Sequence, residues 1–235
     1  MNLVILHASE LQNPARVTLS DRRAQHILST HRVSEGDTLR VGQLNGLMGS
    51  GRVLAVSANS VTLDVTLDTA PPAAHDVILL LALPRPKMLK RIFQAITTLG
   101  IKQLYLINSY RVEKSFWDSP WLKPEAVEQQ LILGLEQAKD TQLPRVELRK
   151  RFKPFIEDEL PALAHQRQCW LPHPGSDTAL PKSISPPAMI AIGPEGGFIP
   201  YEVDFLQKSG FTPVHMGERI LRVDTAVTAC LSRLL

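Results

Sequence analysis

The chain has 235 residues, 44% of them hydrophobic and 21% charged, with a formal net charge of +3. This is the composition of one large or two smaller globular domains, and it excludes a disordered or fibrous chain. No run of roughly 18 or more uninterrupted apolar residues occurs, which argues against a transmembrane helix, and so mild a basic excess does not by itself indicate nucleic-acid binding.

In chain order, the opening "MNLVILHASELQNPARVTL" has neither a basic n-region nor a small-residue cleavage site, so it reads as a first strand rather than a signal peptide. "RVTLS", "DTLRVGQ", "GRVLAVSA" and "SVTLDVTL" then alternate apolar and polar residues, with Gly, Asn and Ser between them. The one helical piece is "DRRAQHILSTHR", with Ile27 and Leu28 positioned for a core. These elements predict a small β-barrel or curled sheet over residues 1–72, and "TAPPAAHD" (69–76) breaks both periodicities as a linker.

Residues 73–235 predict a second domain of α/β class with a largely parallel sheet. "VILLLAL" is a continuous apolar run, as in a strand buried on both faces. "KMLKRIFQAITTLG" follows as an amphipathic helix with Gly100 as its stop. Next come a strand "IKQLYLIN", a helix "KPEAVEQQLILGLEQAKD", a strand "RVELRK" and a helix around 154–166. "QCWLPH", "AMIAIG", a helix from about Pro200, "TPVHMG" and a last helix from about Asp224 complete the alternation. Asp224 or Thr225 is the expected N-cap of that last helix. Basic residues gather in "RPKMLKR" and "RVELRKRFK", while up to Asp68 acids and bases balance. Cys169 and Cys230 lie far apart without metal-ligand spacing, so they read as reduced thiols of a cytoplasmic protein with no metal site.

Three loops begin where an apolar strand stops: "WLPHPG" (170–175), "IGPEGGF" (192–198) and "MGERILRVDTA" (216–226). Strand-end loops of a parallel sheet converge, so all three are expected to line one crevice. Gly193, Gly196 and Gly197 would let backbone groups face a ligand without Cβ interference, or would serve a tight turn before the next helix. No Gly-Lys-Ser/Thr follows and the G-x-G-x-x-G spacing is absent, which excludes the common nucleotide-phosphate loops. Glu195 would repel an anion and suits a neutral or cationic ligand. Arg222 either bridges Glu218 or Asp224, or holds an oxygen-rich substrate beside the glycine-lined pocket.

"IGPEGGF" followed by "MGERILRVDTA" resembles the signature pair of the 16S rRNA uracil-N3 methyltransferases of the SPOUT superfamily. "QHILSTHRV" with "GDTLRV", "FQAITTLGI", "SYRVEKS", "LEQAKDTQLP" and "LPHP" are similar to further blocks of that family. The resemblance implies a PUA-like RNA-binding β-barrel at 1–72 and a SPOUT methyltransferase domain with a trefoil knot at 73–235. It implies S-adenosyl-L-methionine as cofactor, held by Leu171, Pro172, His173, Pro174, Ile192, Gly193, Pro194, Gly196, Gly197, Met216, Gly217, Ile220 and Leu221. It implies 16S rRNA or the small ribosomal subunit as partner, and a cytoplasmic homodimer without membrane or metal. Arg222 is the expected stabiliser of the uracil anion and Glu195 a candidate proton acceptor. Arg22, Arg23, Arg32, Arg85, Lys87 and Arg111 are the expected phosphate contacts.

Departures from the family pattern fall on the substrate side: Thr98, Tyr110 and Asp140 replace residues that are usually charged, and Asp224 replaces a Glu. They keep open a SPOUT enzyme acting on another RNA nucleotide, or a non-catalytic RNA-binding or assembly factor.

Overall fold

The computed structural model of the protein describes residues 2–11 and 15–234. By its internal contacts the chain divides into two units, Met1–Ala73 with Ile132–Leu143, and Ala74–Leu131 with Pro144–Leu235. The excursion 132–143 thus belongs with the first unit, although its sequence continues a helix of the second.

The first unit holds β1 (Val4–Leu6), β2 (Arg16–Leu19), α1 (Arg22–His26, extended by a π turn over Ile27–His31), β3 (Thr38–Gln43), β4 (Met48–Val56) and β5 (Val61–Thr69). The strands form one sheet in the order β1-β3-β4-β5-β2, with β1 parallel to β3 and the other pairs antiparallel. Period-2 alternation acts as expected: Val61, Leu63 and Val65 are buried against Val17, Leu19 and Val53, with Ala24 and Ile27 of the helix closing the core. Two register shifts between β4 and β5 bend the sheet. It curls without closing. β1 and β2 are its two edges, so of the expected barrel or curled sheet the chain forms the curled sheet, a half-barrel.

Arg23 anchors this unit from within. Its guanidinium, in a side chain only 9% exposed, donates to the Ile5 carbonyl at 2.6 Å and pairs with Glu10 and Asp21. Asp21 also caps α1 by accepting the Arg23 N–H at 2.8 Å. The hydrogen-bonded Arg23 partner lowers the pKa of Glu10, and it lowers that of Asp21 against the opposing effect of burial.

The second unit holds β6 (His75–Ala82), α2 (Pro86–Thr98), β7 (Ile101–Ile107), α3 (Pro124–Ala138, whose last turns join the first unit), β8 (Arg145–Arg149), α4 (Phe152–Pro154), α5 (Leu160–Ala164), β9 (Gln168–Pro172), β10 (Ala188–Ile192), α6 (Pro200–Lys208), β11 (Thr212–Val214) and α7 (Val223–Leu231). The six strands are all parallel, in the order β11-β9-β10-β6-β7-β8. Leu79, Leu80 and Leu81 of β6 are fully buried, as a run without alternation requires of a central strand. Pro86 and Pro124 each open a helix, where a missing N–H costs nothing. α7 begins at Val223 with Arg222 as its N-cap and no side-chain cap. Asp224 therefore lies inside the first turn rather than capping it. Among the described residues no helix is long and apolar enough to cross a membrane.

The Arg23 cluster gives a stability prediction. Arg23→Met should cost about 2 kcal/mol at neutral pH, at the low end for a broken buried ion pair because Asp21 is half open to water. Groups with depressed pKa values stabilise above their ordinary range, 4.5 for Glu10 and 3.8 for Asp21, and lose that contribution as pH falls further. Chemical denaturation of the two proteins should therefore show a gap that narrows below about pH 4; a gap independent of pH would overturn the assignment.

Candidate active site

The site is built at the junction of β6 and β10. These strands pair in parallel with Leu81 opposite Ile192. The chain then leaves β6 through α2 toward β7, and leaves β10 through α6 toward β11 at the other edge. Such divergent exits leave a crevice at the carboxyl ends of the strands. A cavity of about 680 Å³ occupies it, in the range of ligand pockets.

The three loops expected to meet do line this cavity. Pro172 to Ser176 follow β9, Ile192 to Glu195 with Gly197 and Phe198 follow β10, and His215 to Arg222 follow β11. In the middle loop, Gly197 donates its N–H to the Pro194 carbonyl at 2.8 Å, a tight turn. A Cβ on Gly193 would lie 3.0 Å from the Phe198 nitrogen, so the turn folds back onto a residue that has room for no side chain. A Cβ on Gly196 would lie 2.8 Å from the Arg111 side chain, whose guanidinium donates to the Gly196 carbonyl. Gly196 thus admits Arg111 and does not itself line the cavity.

Two carboxylates fix this loop. Glu195 Oε1 accepts the N–H of Arg85, at the mouth of α2, at 3.0 Å. Glu202 is buried, and its two oxygens accept the N–H groups of Tyr110 at 2.7 Å and Ile199 at 3.0 Å. Ile199 offers no side-chain cap to α6, and Glu202 secures that helix start from inside the first turn.

The flanking loops are held by backbone bonds. His173 donates its N–H to Val214 at 2.8 Å, and His215 exchanges bonds with Thr178 at 2.7 Å and Leu180 at 2.9 Å. The Gly217 N–H reaches His215 Nδ1 at 3.1 Å. Burial, followed by the positive charge of Arg111, pushes the His173 pKa down. The Cys230 thiol, pushed up to about 12 by burial, remains protonated and donates to Met216 Sδ at 3.0 Å. Arg222 lies at the rim with a side chain 68% exposed; its Nη2 meets Met88 Sδ at 3.5 Å and its Nε is 3.7 Å from Asp224 Oδ1. The bridge to Asp224 is long, which leaves the guanidinium available.

Other expectations meet a different geometry. Leu171 is wholly buried within β9 and does not reach the cavity, because it occupies the core-facing position of its strand. Arg23 is committed to Glu10, Asp21 and Ile5, so it is no free cation for phosphate. Arg22 pairs with Glu136 at 2.8 Å, whereas Arg32, Lys87 and Arg111 are exposed. Arg85 lines the cavity. Asp140 is buried, with its Oδ1 accepting the Gln142 N–H at 2.9 Å, so its carboxylate shapes a turn. Met88, Ser176, Phe198 and His215 also line the cavity and escaped the sequence reading. Ser176 and His215 border the quoted loops and were reachable by extension, but nothing in helical periodicity marks Met88.

Known proteins can now be set beside this geometry. A family model described as an RNA methyltransferase domain matches residues 71–235. A ribosomal RNA small subunit methyltransferase E of Treponema pallidum is 31% identical over 239 residues, spanning 97% of this chain and 88% of the relative. One of Synechocystis is 26% identical, spanning 94% of this chain and 73% of the relative. The crystal structure of a ribosomal RNA small subunit methyltransferase E from Neisseria gonorrhoeae bound to S-adenosyl methionine shares the fold, with a TM-score of 0.74 over 99% of this chain and 95% of that one at 19% identity.

Glu195 separates position from proton transfer. Glu195→Gln keeps an acceptor for the Arg85 N–H and should retain most of the turnover, whereas Glu195→Ala should lose about tenfold through a displaced loop. A Gln variant as inactive as the Ala variant would instead make Glu195 the base.

Proposed function

We propose, from the premise that this chain belongs to the RNA methyltransferase family, that it methylates N3 of a uracil in 16S rRNA with S-adenosylmethionine as donor. The observation that carries this reading is the single cavity in which three loops of different strands meet, with Arg222 at its rim. The lining fits the donor. Ile192, Leu221 and Met88 are apolar walls for an adenine ring, and Glu195 and Glu218 suit a cationic ligand better than a polyphosphate. Backbone groups at His173, Gly193, Met216 and Gly217 would hold its polar edges. When bound, S-adenosylmethionine supplies an electrophilic methyl group on a positively charged sulfur.

The rest falls to the chain's own residues. Uracil N3 carries a proton and faces the Watson–Crick edge, so the base must be unpaired or flipped before it enters. Loss of the N3 proton to solvent leaves an anion whose charge lies on the carbonyl oxygens, which the exposed guanidinium of Arg222 would stabilise; attack of N3 on the methyl group then releases the donor as the neutral thioether. Glu195, bound to the Arg85 N–H, acts in this reading as a positioning group. Arg85, Lys87, Arg111, Arg32 and Arg22 remain the candidate phosphate contacts.

The trefoil knot is part of the same reading. Segment 173–187 is tied to the C-terminal chain at two points, by the His215 bonds and by the Ile184 N–H to the Arg233 carbonyl at 2.8 Å, which supports a threaded crossing. Val227, Cys230 and Leu231 of α7 are fully buried within the chain and serve its core. A homodimer would instead cover Ile220, which is 82% exposed at the cavity rim.

Mass spectrometry of 16S rRNA from a deletion strain should show loss of 3-methyluridine, and an unchanged modification map would sink the proposal. In the purified protein Arg222→Ala should lower kcat about a hundredfold with cofactor affinity preserved, and Arg222→Lys should recover part of it. Wild-type turnover in the Ala variant would remove Arg222 from the chemistry.

A further inference from the structure

Next to the cavity, the exits of β7 and β8 and the start of α6 carry a group of aromatic residues on fixed backbone. The Asn108 N–H donates to Arg149 at 2.9 Å, and Trp117 Nε1 donates to Asn108 at 3.0 Å. Phe152 lies 6.3 Å, centroid to centroid, from both Phe198 and Phe205. Tyr201 stacks on Phe205 at 5.7 Å and 18°. The carboxylate that starts α6, Glu202, also holds the Tyr110 N–H. Yet the two tyrosines so firmly mounted are open to water, Tyr110 at 79% and Tyr201 at 52%.

Charge selects the occupant of this ledge. Arg111, Lys150 and Arg151 are exposed beside it, and Lys150 also rests 5.8 Å from the Trp117 ring centroid. Asp204 is paired with Lys208 at 2.7 Å and both oxygens of Glu202 are taken by N–H groups, while Glu113 and Asp118 stay exposed on the loop after β7. Open aromatic faces among uncompensated cations match a polymer that alternates flat rings with phosphates. Of the exposed large apolar side chains here, Tyr110 and Tyr201 are aromatic, with Leu148 of β8 and Ile220 of the cavity rim as the aliphatic neighbours, so flat rings dominate the ledge itself. The ledge is also continuous with the cavity, because Phe198 lines the cavity and supports Phe152, and Arg111 grips Gly196.

We propose that Tyr110 and Tyr201 form a stacking ledge for unpaired RNA bases flanking the target nucleotide, with Arg111 set against the adjoining phosphate. This rests on the rRNA methyltransferase reading above. Stacking of flanking bases on the ledge would favour a strand already opened around its target, and would help hold the target base at the cavity.

The test uses the full chain and two readouts: anisotropy of a short single-stranded oligoribonucleotide, and methyl-transfer kinetics on 16S rRNA. Tyr110→Ala and Tyr201→Ala should each weaken single-strand binding and raise KM for rRNA about tenfold, while Tyr→Phe at either position stays within about twofold. S-adenosylmethionine affinity, thermal midpoint and sedimentation should match wild type, since both side chains are exposed. A double Ala variant with unchanged RNA affinity and KM, in a preparation whose wild type methylates rRNA, overturns the ledge. So does loss of a dimer with RNA affinity intact, which would make this face an interface between copies. A wild type that neither binds the cofactor nor methylates rRNA fails the methyltransferase reading instead; tyrosine-dependent RNA binding would then still uphold the ledge.

Discussion

The parallel pairing of β6 with β10 is the constraint on which the second unit depends. Leu81 faces Ile192 across that pair, and the two strands send their chains to opposite edges of the sheet. Such divergent exits favour a hollow at the carboxyl ends of the two strands, and the loops line it. The Glu195 carboxylate then staples the two exits by accepting the Arg85 N–H. Neither the tight turn at Gly197 nor the position of Arg222 would matter if those strands were not neighbours.

The molecule buries charge in two distinct ways. Among the described residues Glu202 pairs with no cation: two backbone N–H groups satisfy it, near the helix start where a negative charge is favoured. One side chain thereby fixes two loops. Arg23 is handled by two carboxylates and a carbonyl, and it pulls β1, the turn after it and α1 onto the half-barrel core. Desolvation opposes both arrangements, and complete hydrogen bonding offsets it.

Much of this was legible in the residues, for reasons that differ by element. β6 announced itself as a central strand because burial on both faces leaves no polar position in "VILLLAL". The meeting of three strand-end loops followed from parallel topology alone. What periodicity cannot carry is partnership. α3 reads as one helix, and nothing in its repeat says that residues from Ile132 onward join the first unit. Arg23 looks like a solvated cation until Glu10, thirteen residues earlier, is brought onto it. Asp140, a departure from the family pattern in the sequence, is buried, and its carboxylate shapes a turn by accepting the Gln142 N–H. Leu171 is fully buried, because the strand runs on through "LP", a placement that a motif alone does not show.

α7 has an uncommon burden for nine residues. Its first turns contribute Val223 and Ala226 to the cavity wall, its inner face buries Val227, Cys230 and Leu231, and the chain just beyond it holds segment 173–187 through Arg233. Cys230 joins the first two roles directly, through its contact with Met216 in the wall. Wall, core and clasp are therefore one mechanical part. Because the same helix walls the cavity and closes the hydrophobic interior, a ligand that binds only the folded cavity would raise the resistance of the unit to unfolding by mass action.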